Sequence, residues 1–111
     1  MEVRAVLRYA RVTPRKMRLV ARLCSGMTVD KAAVQLRFCQ KKGGKMMHTL
    51  LNSAVANARE KGGIAMDNLI VKNVRVDDGP VMKRFMPRSQ GRAYPILKKM
   101  CHVTLILDEA R

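Results

Sequence analysis

Between Asp77 and Val103 the chain reads DDGPVMKRFMPRSQGRAYPILKKMCHV. Lys83, Arg84, Arg88, Arg92, Lys98 and Lys99 carry positive charge along this stretch, with Phe85 and Tyr94 set among them. Arginine makes forked contacts to phosphate oxygens and stacks on bases, lysine neutralises phosphate as a point charge, and aromatic rings stack on unpaired bases. Residue types in this order suit the grip of a polyanion, not the making of bonds. From Gly79 to Leu107 no acidic residue interrupts them.

A second set lies near the N-terminus. Arg15, Arg18 and Arg22 recur at i, i+3 and i+7, so a helix presents them on one side; Lys16 falls off that arc. None has an acid four residues on, so helical ion pairs are ruled out, and the face is either solvated or in contact with phosphate. Arg11 and Lys16 join the set as candidate phosphate ligands.

Catalytic constellations are missing by comparison. His48 and His102 have no patterned carboxylate partner, and no phosphate loop, nucleophile elbow or metal-ligand spacing occurs. The pair Asp77-Asp78 reads as the end of a strand and the cap of a turn. Cys24, Cys39 and Cys101 are widely spaced and odd in number, which favours small buried hydrophobes over a disulfide or zinc. The reading is therefore a non-enzyme without cofactor or metal.

Overall composition points the same way. The 111 residues include 23 lysines and arginines against 8 acids, a formal charge of +15. Self-repulsion of this size opposes compaction unless a polyanion neutralises it. Nucleic acid is the first candidate, an anionic membrane the second. No apolar run reaches the roughly 20 residues of a membrane span. The start, MEVRAVLRYARV, lacks the uninterrupted apolar stretch of a signal peptide, which leads us to expect a cytosolic or similarly reducing compartment.

The elements that must position these residues follow from period and punctuation. VRAVLRYA alternates, with Val3, Ala5, Leu7 and Tyr9 on one face, and reads as a strand. VTPRKMRLVARLCSG reads as a helix capped by Thr13, with Pro14 in its first turn, Met17, Val20, Ala21 and Cys24 inward, and Gly26 past its end. TVDKAAVQLRF is a short second helix capped by Thr28, with Val29, Ala32, Ala33 and Leu36 inward. Met47, Leu50, Leu51, Ala54, Val55 and Ala58 mark a third helix that Gly62-Gly63 ends. Its start is open, because Gly43-Gly44 cost about 1 kcal/mol each inside a helix: QKKGGK is either its first turn or a mobile basic loop. NLIVKNVRVDDGP is a strand stopping at Asp77 to Pro80, and CHVTLIL is the last strand, with Cys101, Val103, Leu105 and Leu107 sharing a face.

These elements predict one α+β domain over residues 1–111: a small three-stranded antiparallel sheet packed on three helices, with a protruding basic β-hairpin arm at about 79–100. The arm turns near PRSQG, and ten extended residues a side carry its tip on the order of 30 Å. Val81, Met82, Met86, Ile96, Leu97 and Met100 make it too apolar for a flexible linker.

ARVTPRKMRLV, LLNSAVANA, VDDGPVMKRFMPRSQGRAYPILKK and HVTLIL resemble, in that order, the bacterial form of the universal large-subunit ribosomal protein 22 family. The arm pattern MKR-x-MPR-x-x-GRA is the most specific part. The resemblance implies binding to large-subunit rRNA, a role in early subunit assembly, neighbouring ribosomal proteins as partners, and cytoplasmic or organellar ribosomes as the location. It further implies a body at the subunit surface and a hairpin whose tip lines the polypeptide exit tunnel, beside the nascent chain. Carried over, Met82, Lys83 and Arg84 match the hairpin stem, while Arg88, Ser89, Gln90, Gly91, Arg92 and Ala93 match the tip. The rRNA-binding set is then Arg11, Arg15, Lys16, Arg18, Arg22, Lys83, Arg84, Arg88, Arg92, Lys98 and Lys99, with Phe85 and Tyr94 for base stacking. A free-standing RNA chaperone and a membrane-active basic protein are the competing readings. The second is opposed by the three prolines that interrupt any helix in the arm.

Overall fold

The computed structural model describes residues 2–62, 68–87, 89–91 and 93–109; of Ser89, Ala93 and Tyr94 it describes the backbone alone. In chain order the elements are β1 (Val3–Ala10), α1 (Pro14–Cys24), α2 (Val29–Arg37), α3 (Lys42–Lys61), β2 (Leu69–Pro87) and β3 (Ala93–Glu109). β3 lies at the centre of an antiparallel sheet of order β1-β3-β2. The α+β class, the three helices, the three strands and the long hairpin are those expected.

One face of the sheet carries the helices. Cys101, Val103, Leu105 and Leu107 alternate along β3 and are fully buried, as their period requires. They meet Met17, Val20 and Cys24 of α1, Leu36 of α2, and Met47, Leu51 and Ala54 of α3 in one apolar cluster. α1 packs on β2 and α3 on β1. The outer edge of β2 is partly closed by the α1–α2 connection: Gly26 N–H donates to Val71 O at 2.8 Å, and Val71 N–H donates to Met27 O at 2.8 Å. Gly26 takes φ +81° there, a conformation that glycine adopts without strain.

Three local expectations need correction, and the start of α3, left open above, is settled. Tyr9 does not join Val3 and Ala5 in the core. Between Leu7 and Ala10 the pairing with β3 slips by one residue, Tyr9 takes φ 59°, and Ala10 becomes the buried residue instead. Such a bulge inverts the alternation beyond it. Tyr9 is left on the other face, edge-on to His102 with ring centroids 5.0 Å apart, and its N–H donates to His102 Nδ1.

Asp77 to Pro80 does not end β2. The strand continues to Pro87, and Gly79-Pro80 lie in a second bulge, between the pairs Asp78↔Cys101 and Val81↔Lys99. A proline without an N–H is tolerated at such a break in the ladder. Gly79 is needed for close approach, since a Cβ there would sit 3.1 Å from the Met100 carbonyl.

Gly43-Gly44 are the first turn of α3, not a loop, and both are buried. A Cβ on Gly43 would lie 3.2 Å from Met17 Sδ, and one on Gly44 would lie 2.8 Å from Cys39 Cβ. The glycines give up helix propensity to let α3 press against α1 and the end of α2. Finally, Thr13 and Thr28 occupy N-cap positions, but neither side chain makes a capping hydrogen bond. Gly62 ends α3 as expected; Gly63 lies outside the described residues.

The molecule is elongated, 64 Å by 24 Å by 18 Å. Its radius of gyration of 17.0 Å exceeds the roughly 13 Å of a compact chain of this length. The hairpin beyond Gly79 accounts for the difference. It closes at a turn over Ser89–Gly91, where Gln90 and Gly91 take φ 66° and 71°, within the PRSQG segment.

Candidate nucleic-acid interface

β2 and β3 continue as a two-stranded ribbon from Val81↔Lys99 to Pro87↔Ala93. Directly paired residues share a face. Val81, Lys83, Phe85, Leu97 and Lys99 therefore lie on one side, with Met82, Arg84, Met86, Ile96 and Lys98 on the other. Each face alternates cations with apolar groups, and neither is covered. Phe85 is 71% exposed, and Lys83, Arg84, Lys98 and Lys99 are all exposed. A ribbon with two wet apolar faces lacks a core of its own and is stabilised by whatever encloses it. Arg84 lies back along its own strand, its guanidinium donating to Lys83 O at 2.9 Å.

At the ribbon's root α1 braces β2. Arg18 donates to Val76 O at 3.3 Å and stands 3.8 Å from an Asp78 carboxylate oxygen. This ion pair is exposed on both sides, so it orients more than it stabilises. Arg18 is thus partly engaged within the fold, across to β2, which counting acids along α1 alone could not show. A cavity of about 620 Å³ beside it is lined by Arg15, Arg18, Lys99 and the bulge at Asp78-Gly79. Arg22 shares a smaller one with Arg75, whose guanidinium is paired with Asp77 at 3.1 Å.

Across the root lies a larger groove of about 690 Å³. Arg11, Lys16, Lys98 and Lys99 line it. Lys41 and Lys42 join them from the start of α3. Those two lysines are absent from the candidates read from sequence. Their signal was QKKGGK, which acquires a position only once the glycines are helical. Arg11 also spans to the arm, with a guanidinium nitrogen 3.9 Å from Met82 Sδ. Lys42 Nζ donates to Arg11 O at 3.0 Å.

The fold thus gathers seven of the eleven predicted phosphate ligands around the arm root and places Lys83 and Arg84 along the ribbon. Arg88 and Arg92 lie outside the described residues, as does the Tyr94 side chain. Gln90 and Gly91 are exposed at the tip. Away from the groove, burial pushes the Cys24 and Cys101 thiols up from the usual thiol range. At the far end of the sheet Glu2 pairs with Lys72, whose hydrogen bond and charge hold its carboxyl below the usual range. Among the described residues no group of three or more metal-ligating side chains occurs, and no helix is long and apolar enough to cross a membrane.

A basic α+β body extended by an exposed cationic ribbon is a shape suited to contact with a folded polyanion. The family model of ribosomal protein L22p/L17e matches residues 5–108. Similar curated proteins, each named large ribosomal subunit protein uL22, include one from Syntrophotalea carbinolica that is 48% identical over 98% of this chain and 99% of its own. One from Bdellovibrio bacteriovorus is 50% identical over the same shares, and one from Desulfovibrio desulfuricans is 46% identical over 100% of this chain and 99% of its own. The chain belongs to the ribosomal protein L22p/L17e family, in its bacterial form, and that family is one of structural ribosomal proteins, not of enzymes.

Proposed function

We propose that residues 1–111 act as a single RNA-binding domain that clamps large-subunit rRNA with its body, drives its arm into the folded RNA during assembly, and lines the polypeptide exit tunnel with the arm tip. Membership of the family makes the protein a constituent of the large ribosomal subunit in the cytoplasm. Its partners there include rRNA and other ribosomal proteins. The nascent chain is the further partner that this reading adds, facing Arg88, Ser89, Gln90, Gly91, Arg92 and Ala93.

One observation carries the reading: the acid-free ribbon exposes cations and apolar groups on both faces at once. A smooth duplex or a membrane surface would cover a single face. An RNA crevice covers both, with phosphates against Lys83, Arg84, Lys98 and Lys99 and bases against Phe85 and Tyr94.

Competition binding tests it. The protein should prefer its cognate large-subunit rRNA over random RNA of equal length. Raising salt from 50 to 200 mM should weaken binding by about 10³- to 10⁵-fold, as expected for some 6–10 phosphate contacts. Equal affinity for the two RNAs would favour a free-standing chaperone instead.

A further inference from the structure

We infer that the groove between α1, α3 and the arm root is a discrete binding site for RNA sugar–phosphate backbone, and that Lys41 and Lys42 are principal ligands in it. The inference rests on the rRNA-binding reading and adds a place and residues that the sequence patterns did not single out.

Three features of the groove converge. It is a concave groove of about 690 Å³ where α1, α3 and the arm meet. Arg11, Lys16, Lys41, Lys42, Lys98 and Lys99 line it, and the lining contains no acid. These six come from three segments far apart in sequence, 11–16, 41–42 and 98–99, so no helical or strand periodicity demands their meeting. Val12, Leu19 and Leu97 supply apolar lining on which a ribose or a base face can rest.

The two helices that meet there reinforce the charge. α1 and α3 both begin at the groove, neither carries an acid in its first turn, and neither N-cap side chain satisfies a backbone N–H. Their positive dipole ends add to the field of the six side chains. Cations held together without counter-charge repel one another, and among the described residues no carboxylate lines the groove. A polyanion with phosphates at successive nucleotides relieves that repulsion and ties the arm to the body. Lys42 already spans from α3 to the Arg11 carbonyl, and Arg11 spans to Met82, so an RNA backbone seated there would fix the angle at which the arm leaves the sheet.

The test compares the wild-type protein with a Lys41→Gln/Lys42→Gln variant, each bound to cognate large-subunit rRNA and to random RNA over a range of salt. Both lysines are exposed, and circular dichroism checks that the variant keeps its fold. The slope of log K against log salt should fall in magnitude by about 1.4 to 1.8 in the variant, corresponding to two lost phosphate contacts. An unchanged slope overturns the groove while leaving the rRNA reading intact. A reduced slope without preference for cognate rRNA keeps the groove and overturns the large-subunit reading. Lysine-reactivity footprinting of the wild-type protein needs no variant: Lys16, Lys41, Lys42, Lys98 and Lys99 should all lose reactivity when rRNA binds. Retention of free-protein reactivity at Lys41 and Lys42 overturns the inference.

Discussion

Gly44 shows how a single hydrogen atom decides a packing distance. A methyl group there would sit 2.8 Å from Cys39 Cβ, too close for either residue to stay in place. Gly44→Ala would gain about 1 kcal/mol of helix propensity, against about 1–3 kcal/mol for forcing a methyl into a filled contact. The expected outcome is a net loss of about 1 kcal/mol, read as a lower urea midpoint. At Gly43 the nearest atom is the thioether sulfur of a long side chain, so Gly43→Ala should cost less. The buried thiols give a second residue-scale prediction. Burial raises Cys24 and Cys101 above the ordinary 9.0 in the folded state. Below that value both states hold the proton, and stability is unaffected. As pH rises through it, the unfolded chain ionises first, so stability falls. Urea titrations at about pH 8 and pH 10 should show this loss, and Cys24→Ala should reduce it. At this scale the buried faces of the helices were legible because period alone assigns them. Gly43 and Gly44 were not: propensity marks a glycine as a cost, and only the neighbouring helices give the reason for it.

For the elements, the bulge at Gly79-Pro80 separates two kinds of strand. On its inner side Val76 and Cys101 are buried; beyond it none of the described side chains of the ribbon belongs to the core cluster. Replacing residues 79–100 by a two-residue Asn-Gly turn between Asp78 and Cys101 should therefore leave a cooperatively folding body, as such turns suit paired antiparallel strands. The same excision removes Lys83, Arg84, Arg88, Arg92, Lys98 and Lys99. It should lower the magnitude of the salt slope for rRNA binding by about 4 to 5. A shortened chain that fails to unfold cooperatively would show that body and arm are one unit. The existence and type of every element were legible from period and punctuation. The continuation of β2 through Asp77 to Pro80 was not, because the same residues serve a turn or a bulge, and the partner strand makes the choice. Tyr9 was misplaced for the same reason: one inserted residue reverses the alternation, and no local signal marks it.

The whole molecule joins a neutral, well-packed interior to a surface with a +15 charge. An excess of this size within a 64 Å shape works as half of an assembly whose other half is anionic. The polyanion could be read from composition, and the hairpin from a turn placed between two strand patterns. The meeting of Arg11, Lys16, Lys98 and Lys99 with Lys41 and Lys42 could not, since it depends on α3 starting at Lys42, five residues before Met47, its first periodic apolar position. A density map of the large subunit from the source organism tests the central claim most directly. The account predicts the ribbon from Val81 to Lys99 enclosed by rRNA on both faces, with Gln90 and Gly91 at the tunnel wall. A ribbon lying in solvent, or docked on RNA by one face only, would contradict it.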